Sequence, residues 1–243
     1  MSHEVWSTLF LFAVSLFWIK IIEGLVKRDR VSVELSRKAI HVGIGVLFVM
    51  CWSVFDVHCY SCRYLAALVP LSVVIKFLAI CLGVLKDPIT VKMLCRDGEN
   101  HPQQLLLGPL MYGIVIISST IYYWLDSPEG LITILILTVG DGMAAIGGKF
   151  MPITRLPWNR TKSLGGLLSF MILSFMAIVL SLIWFTSLGY PNLTAGGVLL
   201  TPLWLSKLFC ICFSSALLES TELGAFDNLI VPIFALLLTK ILL

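Results

Sequence analysis

Charge is what this chain has least of. Lys and Arg number 17 and Asp and Glu 14 in 243 residues, so 13% of the chain is charged against 58% hydrophobic. A soluble domain carries roughly 25% charged residues. That scarcity, with a mean hydropathy of +0.98, excludes a water-soluble domain, a disordered chain and a collagen-like fibre. The net charge is only +3, and the basic residues sit in short loops rather than in one solvated stripe, which excludes a nucleic-acid partner. Soluble inserts, Ser/Gly linkers, low-complexity tracts and internal repeats are also absent. The first apolar stretch has no basic region ahead of it and no small-residue cleavage site behind it, so it reads as a retained span. What remains is an all-α, polytopic transmembrane helix bundle, a single domain over residues 1–243.

A spanning helix needs roughly 17–25 mostly apolar residues. Eight stretches qualify: Val5–Val26, Ala39–Val57, Tyr64–Leu85, Leu105–Leu125, Leu131–Gly147, Leu167–Leu188, Leu199–Leu218 and Leu229–Leu243. Lys and Arg in short loops mark the cytoplasmic side. The loop after the first span holds Lys27, Arg28, Arg30, Arg37 and Lys38. The loop after the third holds Lys86, Lys92 and Arg96, and that after the fifth holds Lys149, Arg155, Arg160 and Lys162. Alternate loops hold almost none, Arg63 excepted. Both termini are therefore expected on the outer or lumenal face.

Ionisable groups at membrane depth are costly and point to function. Asp141 closes the apolar run Leu131–Val139, and small neighbours (Gly140, Gly142, Ala144, Ala145, Gly147, Gly148) surround it. They are expected to clear side chains so that a polyphosphate or metal ion reaches the backbone. Glu219, Glu222 and Asp227 fall in the connection between the last two spans. His41 sits early in the second span. Lys76 and Lys207 are read as snorkelling lysines, and Lys20 and Glu23, three apart on one helix, as a simple pair.

The strongest constellation runs from Gly140-Asp-Gly-Met-Ala-Ala-Ile-Gly-Gly-Lys-Phe150 to Pro157-Trp-Asn-Arg-Thr-Lys-Ser-Leu-Gly-Gly166. Its second half reads as an anion cradle. Lys162 supplies a point charge, Ser163 a helix N-cap, and Gly165 and Gly166 a close approach to the helix N-terminus. Arg160, Arg155 and Lys149 add positive charge. An acid ending one helix and a basic turn opening the next would suit a metal–nucleotide complex, Asp141 holding Mg2+ and the cations holding phosphates. A dinucleotide fingerprint is excluded because no strand precedes it, and a P-loop because Met143 and Phe150 break its pattern.

These residues resemble the polyprenol kinase family, and within it the phytol/farnesol kinases. Ser36-Arg-Lys-Ala-Ile-His41 is similar to an Arg-Lys-x-x-His element. Arg96 to Tyr112 is similar to a basic loop leading into Leu-Leu-x-Gly-Pro-Leu-x-Tyr. Gly140-Asp-Gly-x-Ala144, Gly148, Pro157-x-Asn-x-x-Lys-Ser163 and Gly166 resemble the nucleotide signature, and Glu219-Ser220 with Asp227-Asn-Leu-Ile-Val-Pro232 the closing elements. The resemblance implies transfer of the γ-phosphoryl group of CTP to a long-chain isoprenoid alcohol drawn from the bilayer: phytol, farnesol or geranylgeraniol. It implies Asp141, Lys162 and Asp227 in catalysis and Asp141, Glu219 and Asp227 around Mg2+. Nucleotide contacts would come from Gly142, Ala144, Gly148, Lys149, Arg160, Ser163, Gly165, Gly166 and Asn228, and Arg37, Lys38 and His41 would contact phosphate or the acceptor hydroxyl. Departures are Ala145, where relatives often carry a second Asp, Pro152 near a usual Gly, and Leu167 where Ser is common.

Seven cysteines are present. Cys59-x-x-Cys62 lies in an outer loop where oxidation is possible, and no second pair at zinc spacing accompanies it. Cys81, Cys210 and Cys212 read as packing residues. The sequon Asn192-Leu-Thr194 falls in a lumenal loop and fits the endoplasmic reticulum or another endomembrane. No transit peptide precedes the first span, which weighs against plastid import, although plastid and bacterial inner membranes stay open. Rival readings are a dolichol or diacylglycerol kinase, a CTP:phosphatidate cytidylyltransferase, or a non-catalytic scaffold or small transporter. A transporter would show broken helices in an internal repeat.

Overall fold

A computed structural model describes residues 3–56, 58–88, 90–91, 104–151, 153–190, 193, 201–221 and 224–243. Eight long helices run through them. They are α1 (His3–Lys27), α2 (Val33–Met50), α3 (Cys62–Cys81), α4 (Gln104–Tyr122), α5 (Pro128–Phe150), α6 (Leu164–Ser187), α7 (Pro202–Ser220) and α8 (Asp227–Leu242). Each expected span corresponds to one of them. Six are long and apolar enough to cross a membrane: α1, α2 with its 3-10 extension to Val54, α3, α5, α6 and α7. The chain is a helical membrane protein whose large outward apolar side chains, such as Phe17, Leu180 and Ile241, have nowhere to go but lipid.

Local sequence explains the helix starts. Ser32, Ser163 and Thr201 cap α2, α6 and α7, their side-chain oxygens accepting from Leu35, Gly166 and Trp204 amides. Pro202 occupies the first turn of α7, where no amide partner is lost.

α5 is the hub. Its residues Leu131–Gly140 are all buried, and it packs against α2, α4, α6 and α8. It differs from the expectation that Asp141 ends a helix. The helix widens into a π turn at Ile136–Gly140 and then continues from Asp141 to Phe150. Such turns leave a backbone carbonyl without its usual partner. Here that feature places Asp141 in mid-helix, facing inward.

The glycines around Asp141 also work differently from expectation. A Cβ at Gly142 would lie 2.1 Å from Val42 Cγ2, and one at Gly45 2.1 Å from Thr138 Cγ2. On the other side, Cβ atoms at Gly140 and Gly147 would strike Phe170 and Ser169. These glycines let α2 and α6 close onto α5, as small residues do in membrane bundles. Only Gly148, Ala144 and Ala145 of that run border open space.

At the opposite end, Arg63 is buried and donates to Asp126 Oδ2 at 2.6 Å and to the Ile121 carbonyl at 3.1 Å. Its position outside the basic loops is thus structural. Cys59 and Cys62 form a disulfide at the same end, and Cys51 and Cys212 are buried free thiols. Lys20 pairs with Glu23 at 2.8 Å, as expected, and Lys76 pairs with Asp87 at 2.7 Å.

Candidate active site

A cavity of about 290 Å3 opens at the end of the bundle that carries the basic loops. Four segments supply most of its lining. α2 contributes Glu34 and Lys38. α5 contributes Asp141, Ala144, Ala145 and Gly148. The connection between α5 and α6 adds Arg155, Lys162 and Ser163, and the α7–α8 corner adds Glu219, Asp227 and Asn228.

The close approach of α2 to α5 brings Lys38 Nζ to 2.9 Å from Asp141 Oδ2. The same oxygen lies 3.3 Å from His41 Nε2. His41 Nε2 also faces the Leu137 carbonyl at 3.1 Å, one of the carbonyls of the π turn. Tyr112 of α4 covers the His41 ring, with centroids 4.4 Å apart, and its hydroxyl donates to the His41 carbonyl at 2.8 Å.

The α5–α6 connection folds back on itself. Leu156 N–H donates to the Lys162 carbonyl, Leu164 N–H to the Thr154 carbonyl, and Arg155 Nη1 to the Thr161 carbonyl. Leu156 is buried and anchors this turn. Trp158 Nε1 donates to Ser220 Oγ and Asn159 Nδ2 to the Ser220 carbonyl, both at 3.0 Å. The clamp places Lys162 against Glu219, with which it forms an ion pair. Burial pulls the Lys162 pKa down, but the Glu219 carboxylate, with Asp141 and Asp227 behind it, outweighs burial, so the ammonium is held above its ordinary range. Glu219 itself is 4% exposed.

Several expected contacts are arranged differently. The Gly166 amide is already taken by Ser163 Oγ, as the cap requires, and Leu164 and Leu167 amides are bonded to backbone carbonyls. Three amides at this helix start are thus engaged within the chain. Gly165 packs on Met151, whose carbonyl oxygen would sit 1.9 Å from a Cβ there, and Gly142 packs on Val42; neither lines the cavity. Lys149 turns to Glu34 at 2.6 Å. Arg160 is exposed outside the cavity, and Arg37 does not line it. Arg155 stands where Arg160 was expected. Asn228 reaches the cavity and also ties α8 to α4 by donating to the Gly108 carbonyl at 3.1 Å. Glu222, Pro152, Lys92, Arg96 and the sequon positions Asn192 and Thr194 lie outside the described residues.

Sequence reasoning missed Glu34, the bridging role of Tyr112 and the Trp158–Ser220 clamp. Each depends on contacts between segments far apart in the chain, which no spacing signals.

Among the described residues no three metal-capable groups cluster into a dedicated cage. Carboxylates of Asp141, Glu219 and Asp227 nevertheless share one cavity with the cations of Lys38, Arg155 and Lys162. That set fits Mg2+ arriving with a polyphosphate, because this ion is usually held by one or two carboxylates plus phosphate oxygens.

Fold and site define an integral membrane protein with a cavity of mixed charge at one membrane face, suited to a phosphorylated ligand. Comparison with known proteins narrows the class. The chain is 33% identical over 240 residues to a probable phytol kinase 3, chloroplastic, of Glycine max, covering 99% of this chain and 73% of that one. It is 35% identical over 209 residues to a farnesol kinase, chloroplastic, of Arabidopsis thaliana, covering 85% and 65%. A phytol kinase 1, chloroplastic, of the same plant is 29% identical over 97% of this chain and 75% of its own. The chain belongs to the phytol/farnesol kinase family. No family model matches it, and no solved structure does.

Proposed function

We propose that this chain transfers the γ-phosphoryl group of CTP, as its Mg2+ complex, to the hydroxyl of a long-chain isoprenoid alcohol, releasing CDP and the lipid monophosphate. Membership of a family named for phytol and farnesol kinases supports the acceptor class. The family resemblance in the motifs supports CTP. The observation that carries the reading is the convergence of Lys38, Arg155 and Lys162 with Asp141, Glu219 and Asp227 on one cavity at a membrane face.

Phosphoryl transfer asks mainly for positioning and charge stabilisation. Lys38, Arg155 and Lys162 hold phosphate oxygens. Asp141, Asp227 and Glu219 would hold Mg2+, which supplies charge neutralisation between the phosphates. Lysines now paired with Asp141 and Glu219 hold these carboxylates in place until the nucleotide enters. The alcohol approaches from the bilayer while the nucleotide approaches from the aqueous side.

The membrane is a plastid membrane in this reading, because the relatives are named chloroplastic. The endoplasmic-reticulum assignment drawn from the Asn192 sequon has no support among those relatives.

The test is label transfer from γ-labelled CTP or ATP with Mg2+ by the detergent-purified chain. Phytol, farnesol, geranylgeraniol, dolichol and diacylglycerol are offered in parallel. A labelled prenyl monophosphate made from CTP is the expected product. Pyrophosphate release or label in diacylglycerol alone would overturn the reading.

A further inference from the structure

Glu34 lines the cavity, yet neither the phosphate-holding cations nor the metal-binding acids account for it. It stands in the first turn of α2, four residues before Lys38, which lines the same cavity. On a helix that spacing puts both side chains on one face, about 6 Å apart along the axis. Ser32 caps this turn by accepting from the Leu35 amide, and Ser36 is buried against the opposite side. The turn is thus fixed with Glu34 and Lys38 toward the cavity.

Depth separates the two. The side chains of Lys38 and Asp141 are 18% and 23% exposed, that of Glu34 64%. Lys38 and Asp141 therefore mark the inner part of the cavity, and Glu34 its aqueous mouth. Lys149, in the last turn of α5, holds Glu34 Oε2 at 2.6 Å but does not itself line the cavity. Glu34 Oε1 bonds to no described residue. The carboxylate is thus pinned at the rim with acceptor capacity to spare.

An anion at the mouth repels phosphate, so a nucleotide must present a neutral group bearing donors there. With the phosphates on Lys38, the sugar is the part that follows one helical turn outward, and the base lies beyond it. Ribose offers two adjacent hydroxyls, and an ionised carboxylate only accepts. Acidic side chains hold ribose hydroxyls in this way in dinucleotide sites.

We propose that Glu34 is the sugar-binding residue of this site: its carboxylate accepts hydrogen bonds from the vicinal hydroxyls of the nucleotide's ribose. Lys149 is the positioning residue that holds it at the mouth. The assignment rests on the kinase reading for its ligand and adds a specificity, for ribonucleotides over deoxyribonucleotides, that the phosphate contacts do not supply.

The experiment uses the purified full chain in detergent with Mg2+. Binding of CTP and of 2′,3′-dideoxy-CTP is measured by calorimetry without alcohol, and KM for each is measured with a prenyl alcohol. Wild type is expected to bind CTP at least roughly 10-fold more tightly, the equivalent of one hydrogen bond to a charged group. Glu34→Ala is expected to weaken CTP by that factor, leave the dideoxy nucleotide unchanged and leave the alcohol KM unchanged. Glu34→Gln, which keeps an acceptor in place, is expected to fall between. A merely structural role would weaken both nucleotides alike and would overturn the assignment. So would equal binding of the two by wild type, or a ribose preference that survives in Glu34→Ala. A variant that loses discrimination between CTP and UTP instead would place the base, not the sugar, at Glu34, and would also overturn it. A wild-type chain that binds CTP but phosphorylates no alcohol would overturn the kinase reading alone, because the binding ratio still decides the sugar contact.

Discussion

Lys38 and Asp141 stand 103 residues apart in sequence and 2.9 Å apart in the fold, Nζ to Oδ2. One carboxylate oxygen holds Lys38 and faces His41, so the charge of Asp141 organises α2 as well as the cavity. Asp141→Asn keeps the shape and removes the charge. Turnover is expected to fall about 10²–10³-fold, the usual cost of losing one preorganised electrostatic contact. Lys38 is long enough to turn its ammonium to water. The unfolding temperature should therefore move by under about 4 °C, roughly 1 kcal/mol in a chain this size. Full activity of the variant with Mg2+ would rule out a role for this carboxylate.

Gly45 and Gly142 make that pairing possible by letting α2 and α5 touch. Gly45→Ala puts a Cβ 2.1 Å from Thr138 Cγ2, inside a buried contact. The expected cost is about 1–3 kcal/mol of overpacking, with turnover lost because Lys38 and His41 are pushed off Asp141. Gly24→Ala, which meets nothing within 4 Å, is the control and should be silent. Thermal unfolding of both variants in one detergent checks the contrast. Equal behaviour would mean that the helices can part at little cost.

Much of this was legible in the sequence because the bilayer imposes length and polarity. The eight apolar runs, the cap at Ser163, and the cluster of charge at one end follow from local rules. Helix-to-helix distance does not. Three of the glycines that suggested room for a phosphate, Gly142, Gly140 and Gly147, are seats for Val42, Phe170 and Ser169. Likewise the widening of α5 at Ile136–Gly140 has no signature in its Ile-Leu-Thr-Val-Gly sequence, so Asp141 read as a helix end rather than a mid-helix acid.

Asn159 fixes the loop that carries Lys162. Its Oδ1 accepts from the Thr161 amide at 3.0 Å and hydroxyl at 2.7 Å, while Nδ2 donates to the Ser220 carbonyl. Asn159→Ala removes these bonds, and Lys162 and Arg155 lose their common support. Nucleotide KM is expected to rise roughly 10-fold, the equivalent of one or two net hydrogen bonds, with alcohol KM unchanged. Trypsin should cut faster at Arg155 and Arg160. Unaltered proteolysis together with unaltered KM would show that the Trp158–Ser220 contact suffices.

The Cys59–Cys62 disulfide sits at the end of the bundle away from the cavity and closes a loop of sequence separation 3. Short loops restrict the unfolded chain little, so its loss costs about 2 kcal/mol on the chain-entropy account. Cys59→Ser should lower the unfolding temperature by several degrees, about 4–8 °C, and leave both KM values alone. A large change in turnover on reduction would link the two ends of the bundle.

Ala145 tests how many carboxylates the cavity needs. It lies one turn after Asp141, is exposed to the cavity, and replaces an acid that the family resemblance leads one to expect. Asp at this position meets open space, so the fold should accept it. A further carboxylate beside Asp141 strengthens a site for a hard cation and competes with phosphate for Lys38 and Lys162. Ala145→Asp is therefore expected to lower the Mg2+ concentration needed for half-maximal rate. Nucleotide KM measured at saturating Mg2+ should rise or stay level. A large gain in kcat at saturating Mg2+ would mean that the native cavity lacks a group the reaction requires. An unchanged Mg2+ requirement would place the ion away from this turn of α5, toward Glu219 and Asp227.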